Sequence, residues 1–277
     1  MGYSFLVWNV EHFRGGQGRL EKVDDLIEHF EPDVFGILEF EAKDQARSLV
    51  NDFFDEYDFA FTDSQQAIEI LVGWKRDKFD QIIYTQRREF QVNNSFLRPG
   101  GLFSFKQQGN TIFENILFLH TDSGKTQKDY DNRQEMFKKI WSMKHSIEAL
   151  PSQQGQARFL VMGDLNTMGR KKIGPSMPTI SSKNEIENLK LDAQQNGMEV
   201  IQKSHQKTWS SSNGSMTSEL DHVIASSDIN LTPRSVSGGD VTPAKIEVYG
   251  WNKQSGSAKI SFIKNISDHC ALYGEVV

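Results

Sequence analysis

Arg158-Phe159-Leu160-Val161-Met162 reads as a buried strand that runs directly into Gly163-Asp164-Leu165-Asn166. An apolar run without polar alternation is the pattern of a strand covered on both faces. Polar groups placed at its very end stand on the rim of a sheet, where binding and catalysis concentrate. Asp164 and Asn166 are two positions apart, so in extended backbone their side chains share a face and reach one ion or one phosphate.

The same arrangement repeats outward along the chain. The opening run Phe5-Leu6-Val7-Trp8-Asn9-Val10 carries Asn9 near its end, and 34–38 runs straight into Glu39. His120 ends 112–119, Asp221 and His222 interrupt a strand at 220–225, and Asp268-His269 precedes 271–277. Adjacent Asp268 and His269 should point apart and do different jobs. Further strand-like runs cover 57–61, 68–74, 81–84 and 102–105. Leu20, Val23, Leu26, Ile27 and Phe30 recur at helical spacing until Pro32. Met136, Ile140, Met143 and Ile147 mark a long helix over 131–150, and helices are also expected over 43–53 and 183–196. The chain closes with 259–266 and 271–277. Strands outnumber helices, and the helices fall between strand groups, which predicts packed sheets with helices outside. No repeat and no linker divides the chain, so 1–277 reads as one domain.

The composition sets bounds. The chain has 277 residues, 31 Lys+Arg against 37 Asp+Glu, a formal net charge of −6 and one cysteine, Cys270. That excludes an internal disulfide framework and a cysteine-based zinc site. No apolar run reaches the roughly 18 residues of a membrane span, and 1–10 lacks the pattern of a signal peptide. A cytoplasmic monomer is the expectation. A mildly acidic chain does not bind polyanions through bulk charge, so handling phosphate requires a metal or a local basic patch. Carboxylates and amides without cysteine suit a hard ion, Mg²⁺ or Mn²⁺.

Taken in order, Trp8-Asn9-Val10, Leu38-Glu39, His120-Thr121-Asp122-Ser123, Gly163-Asp164-Leu165-Asn166, Leu220-Asp221-His222-Val223 and Ser267-Asp268-His269 resemble the motifs of the endonuclease/exonuclease/phosphatase superfamily. That superfamily includes pancreatic-type deoxyribonucleases, abasic-site endonucleases, sphingomyelinases and inositol-phosphate 5-phosphatases. Each motif alone is common by chance; six in order are not. The resemblance implies a four-layer α/β/β/α sandwich, two mixed β-sheets face to face with helices outside, and a divalent metal at the shared rim. It makes Glu39 the main metal ligand, with Asn9 and Asp268 close by. It has Asp164 and Asn166 orient the attacking water and the scissile phosphate, Asp221 buttress His269, and His120 face the phosphate. Phosphoryl transfer needs this kind of positioning and charge neutralisation, and a carboxylate-oriented His is a suitable base near neutral pH.

Bland alternatives stand beside these roles. Asn9 and Asn166 also suit turn caps, Glu41 competes with Glu39, and His120 and Asp221 also suit satisfied buried groups. His222 reads as a packing residue. Arg98, in Phe96-Leu97-Arg98-Pro99, resembles a substrate-contacting arginine of deoxyribonuclease-like members, and Glu69 resembles an acid that supports a His there. Trp209 is a candidate for stacking on a base or sugar, and Arg170-Lys171-Lys172 for meeting a phosphate backbone. Ser123-Gly124-Lys125-Thr126 is not a phosphate loop, because the glycine required five residues before Gly124 is Leu119. Glu219-Leu220-Asp221-His222 departs from the Pro-Ala-Trp-x-Asp-Arg of inositol-polyphosphate 5-phosphatases. The reading is therefore metal-dependent phosphodiester hydrolysis, with nucleic acid as the leading substrate and no membrane insertion. A phosphomonoesterase or phospholipid phosphodiesterase of the same fold is the runner-up, and a catalytically silent binding module the rival from another class.

Overall fold

The computed structural model describes residues 2–13, 17–41, 55–65, 68–92, 94–172 and 177–277; the helix expected over 43–53 lies outside them. The chain opens with β1 (Tyr3–Phe13), α1 (Gln17–Phe30) and β2 (Val34–Glu41). Strands β3 (Tyr57–Phe61), β4 (Ile68–Lys75), β5 (Asp80–Arg87), β6 (Gly100–Lys106) and β7 (Glu114–His120) follow. Next come α2 (Gln127–Glu148), β8 (Phe159–Asp164), α3 (Ser182–Gln195) and β9 (Met198–Val200). A small hairpin, β10 (Trp209–Ser210) with β11 (Thr217–Ser218), precedes β12 (Asp221–Ser226) and β13 (Ile246–Tyr249). Then α4 (Gly256–Asn265) leads into β14 (Ala271–Val276).

Two six-stranded sheets result, ordered β13-β14-β1-β2-β4-β3 and β5-β6-β7-β8-β12-β9. Each is antiparallel apart from one parallel pair, β1–β2 in the first and β7–β8 in the second. A parallel pair needs a crossover, and α1 and α2 supply it. Alternation along the strands explains their unbroken apolar character. Phe5 and Val7 of β1 join Ile116 and Phe118 of β7 in one core between the sheets. Leu6 and Trp8 turn the other way, into a core with Leu20, Val23 and Ile27 of α1. Leu117 and Leu119 pack with Met136, Phe137 and Ile140 of α2 and Leu189 of α3. This is the expected four-layer sandwich, helix on sheet on sheet on helix.

Three local expectations change. Residues 259–265 are helical, within α4, where Ile263 is the buried apolar anchor, and Ile266 caps the helix. The long helix starts before 131, because Thr126 caps it: the Thr126 hydroxyl accepts from Asp129 N–H and the Asp129 carboxylate accepts from Thr126 N–H. That reciprocal pair is a capping box. Asp221 and His222 open β12 rather than interrupting a strand. Among the described residues no helix is long and apolar enough to cross a membrane.

Candidate active site

The topology gathers the polar strand ends. The carboxyl ends of parallel β1 and β2, and of β7 and β8, meet at one rim, with His120 paired to Asp164 in register. Strands β12 and β14 run antiparallel to β8 and β1, so their amino ends, at Asp221 and just after His269, reach the same rim. Gly163 permits the closest approach: a Cβ there would lie 2.0 Å from the Leu119 carbonyl oxygen. Glu39 sits where the β2–β4 register slips, between Leu38↔Ile70 and Phe40↔Glu69. Its φ of 59° is left-handed, as is that of Asn166 at 45°. Such a bulge re-aims a side chain, and non-glycine residues held in this backbone region cluster at functional sites.

The side chains then interlock. The Asn9 amide nitrogen donates to Glu39 (3.2 Å) and to Asp164 (3.1 Å). His120 Nε2 lies 3.6 Å from both carboxylates. His269 Nδ1 is 2.8 Å from Asp221 Oδ2, while its Nε2 stands 3.7 Å from Asp164 and 3.8 Å from Asp268. Asp268 and His269 thus converge on one space instead of pointing apart, because the turn after Ser267 is not extended strand. The Ser267 hydroxyl donates to the Asn9 carbonyl (2.6 Å) and accepts from His269 N–H (2.9 Å), which fixes that turn against β1. Asp164 Oδ1 accepts from Asn166 N–H (3.0 Å), and the Asn166 amide donates to the Thr121 carbonyl (3.1 Å). The backbone there is a turn, so the expected extended-strand face shared by Asp164 and Asn166 is replaced by this local bond.

Electrostatics separate the groups. Burial disfavours the imidazolium of His269, but the carboxylates of Asp221 and Asp164 outweigh it and raise the ring to about 10. Burial pushes Asp164 up to about 7, with His269 opposing and Asp221 adding to the rise. Burial also works against ionising Glu39, yet the His120 ring when it carries a proton, the Arg98 charge and the Asn9 amide hold it below the usual carboxylate range. Burial and the Arg98 charge drive His120 down, towards its neutral form. Arg98, at the amino end of β6, interacts with Glu39 and Asp164 through its charge.

Among the described residues, Arg98 Nε, His120 Nδ1, Thr121 Oγ1 and Asp268 Oδ1 are four of the eight buried side-chain atoms without a hydrogen-bond partner. Buried polar groups are normally satisfied, so a cluster of orphans at one rim marks a place built for a ligand. The donor set fits a hard divalent cation: Glu39, Asp164, Asp221 and Asp268 put four carboxylates around few cations, and Asp268 keeps one oxygen free. Asp164, Asp221 and His269 also bring potential ligand atoms within 4.8 Å of one another. Asp221 and His269 already bond each other, however, which leaves Glu39 and Asp268 better disposed toward an ion. Asn9 spreads its nitrogen between two carboxylates, so it meets an ion with oxygen only after its amide turns over.

The remaining candidates divide between this rim and other places. Glu41 lies 3.8 Å from His12 Nδ1, on the ring whose Nε2 is 3.6 Å from Glu39. Among the described residues Glu69 bonds no histidine; it accepts from Thr62 Oγ1 (2.6 Å) and from Ser64 N–H and hydroxyl (2.7 and 2.8 Å). Trp209 donates its indole N–H to Asp268 Oδ2 (2.6 Å) and so orients that carboxylate. Arg170 is held by Gln127 and the Pro178 carbonyl and stacks near Tyr130, while Lys171 and Lys172 are exposed. His222 is buried and bonds Thr167 Oγ1 (2.9 Å). Sequence reasoning gave no role to His12, whose backbone N–H bonds Glu39 (3.1 Å), to Lys203 and Arg133, or to Ser267 within its motif. Arg133 had a visible signal, since it occupies the apolar stripe of α2 one step before Met136.

The model of the endonuclease/exonuclease/phosphatase family matches residues 6–269. The family's fold returns in solved structures. A protein of that family from Bacteroides vulgatus is 12% identical with a TM-score of 0.65, covering 100% of this chain and 99% of its own. D. rerio TDP2, in complex with a single-strand DNA product, is 16% identical with a TM-score of 0.63 and the same coverage. A single-residue variant of the Neisseria 3′ phosphatase NExo, bound to a product DNA hairpin, is 12% identical with a TM-score of 0.64, covering 99% of each chain. No curated protein matches this chain in sequence. With the motifs in order and the family model spanning nearly all of the residues that carry them, the chain belongs to the endonuclease/exonuclease/phosphatase family.

Proposed function

We propose that this protein is a divalent-metal-dependent phosphodiesterase that cleaves nucleic acid by in-line attack of water. The observation that carries the reading is the Asp221–His269 bond facing Asp164 and Asp268 across a rim of unsatisfied polar atoms. Asp221 holds His269 by Nδ1, so Nε2 is the atom presented to the phosphate, where a proton on it stabilises developing negative charge. Asp164, fixed by Asn9 and the Asn166 N–H, orients water opposite the leaving oxygen. Arg98 and His120 face the equatorial oxygens, where such contacts count most as charge develops. Mg²⁺ or Mn²⁺, held by Glu39 and Asp268, would supply neutralisation of phosphate charge. DNA products in two structural neighbours support nucleic acid as substrate, and the 3′-phosphatase activity named for one of them supports terminal phosphate removal as a second reading.

The test is a panel of supercoiled plasmid, single-stranded DNA, RNA, abasic duplex, a 3′-phosphorylated oligonucleotide, sphingomyelin and bis-p-nitrophenyl phosphate, each with Mg²⁺, Mn²⁺ or EDTA. The expected result is nucleic-acid cleavage with either ion, none with EDTA, and none by His269→Ala. Turnover of sphingomyelin alone, or equal activity in EDTA, overturns the proposal.

A further inference from the structure

We infer that Lys203 is a positioning residue for the Asp221–His269 pair, acting from behind the site through the backbone of Asp221. The inference rests on the reading that this pair works as a unit. Lys203 is only 5% exposed. Its ammonium group has three acceptors: the Asp221 carbonyl at 2.7 Å, Glu219 Oε1 at 2.9 Å and His222 Nδ1 at 3.4 Å. The Thr167 hydroxyl donates to the Glu219 carbonyl (2.7 Å), which commits its hydrogen. His222 therefore donates from Nε2 to Thr167 Oγ1 at 2.9 Å, leaving Nδ1 to accept from Lys203.

The strand ladder explains why a side chain is needed there. Leu165 N–H donates to the Leu220 carbonyl, so in the alternating antiparallel pattern Asp221 and Asp164 face each other without exchanging backbone bonds. The N–H and C=O of Asp221 turn away from β8, towards the side where β9 should continue. But the ladder on that side ends with Ile201 N–H donating to the Val223 carbonyl (2.8 Å), one residue past the Val200–Ile224 pair. Beyond it, Thr208 Oγ1 takes the Asp221 N–H at 3.0 Å and Lys203 takes the C=O. Both peptide groups of the residue that holds His269 are thus pinned by buried side chains. Burying an ammonium group is costly, and an apolar residue of similar volume commonly serves stability as well or better. What lysine adds here is a fixed Asp221, and with it a fixed Asp221–His269 distance of 2.8 Å.

The experiment compares wild type, Lys203→Met, Lys203→Arg and the double variant Lys203→Met/Glu219→Gln. The double variant removes the carboxylate that the single change leaves unpaired, which guards against simple misfolding. Two readouts are taken: kcat and KM on the best substrate of the panel, and the downfield NMR resonance of the His269 Nδ1 proton, identified by its loss in His269→Ala. Lys203→Met and the double variant should lose roughly 10- to 100-fold in kcat, as for an angstrom-scale misplacement, with KM within about twofold. The resonance should shift and exchange faster in both, and Lys203→Arg should restore most of each signal. Where wild type is inactive on every substrate yet the resonance moves in the folded Lys203 variants, the proposed function falls and the positioning role stands. A resonance unchanged in the folded variants overturns the positioning role whatever the activity does.

Discussion

Glu39 carries its carboxylate on a left-handed bulge, bonded to Asn9 and to the His12 N–H. Ordinary strand backbone would send it towards one of the two cores that receive Leu38 and Phe40. Removing its charge tests both chemistry and strain. Glu39→Gln should lose roughly 10²- to 10³-fold in kcat, the scale of a single transition-state electrostatic contact. Mg²⁺ affinity measured by calorimetry should weaken, because a neutral amide is a poorer ligand for a hard ion. Thermal stability at pH 7 should fall modestly, because a carboxylate held below its usual range is net stabilised by its surroundings and the amide forfeits that. Glu41→Gln, the matched change two positions on, should leave turnover and metal affinity near wild type. The opposite pattern between the two variants would move the metal site to Glu41.

Helices α2 and α3 are tied to the rim through one buried pair. Arg133 uses all five of its donors: two on Glu185 (2.9 and 3.1 Å) and the rest on the carbonyls of Asp122, Gly124 and Gly169. Glu185 also accepts from Gly169 N–H (2.6 Å). The loops that follow His120 and Asn166 are therefore fastened by a side chain that touches neither residue. Arg133→Ala leaves a buried carboxylate unpaired and should cost about 3–5 kcal/mol in denaturant unfolding. At this chain length that lowers Tm by on the order of 10 °C. Arg133→Met with Glu185→Leu should regain much of the stability while activity stays impaired, because the loop carbonyls remain unheld. Equal recovery of stability and activity would show that the clamp serves packing alone. The capping box at Thr126 and Asp129 belongs to the same end of α2, inside the stretch that only superficially resembles a phosphate loop.

At the scale of the whole molecule, charge is distributed unevenly. Asp24, Glu28, Glu31, Asp55 and Glu56 line a cavity of about 410 Å³ with Ile27 and Tyr57. Burial first, then Glu28, Asp25 and Asp55, push Asp24 up to about 6. A carboxyl raised on folding destabilises wherever it must ionise: the penalty is fully present above about 6 and absent below the unfolded value of about 3.9. Asp24 is partly exposed, so after solvent screening the effect is about 1 kcal/mol or less. Asp24→Asn should raise Tm by roughly 1–3 °C at pH 7 and by nothing at pH 4; a gain that persists at pH 4 would rule out ionisation as its cause. The sequence alone determined the packed sheets and the polar strand ends, because an apolar run and the polar residue that closes it are written in consecutive positions: 158–162 leads into Gly163-Asp164 and 112–119 into His120. Only the tertiary structure decided which rim groups pair. Asp221 meets His269 across 48 residues, and Arg133 meets Glu185 across 52. It also turned Glu69 to Thr62 and Ser64, gave the Trp209 indole to Asp268, and brought Lys203 behind Asp221. A hydrogen bond depends on where two chain segments come to rest to within about half an angstrom, and local propensity carries no information at that distance along the chain.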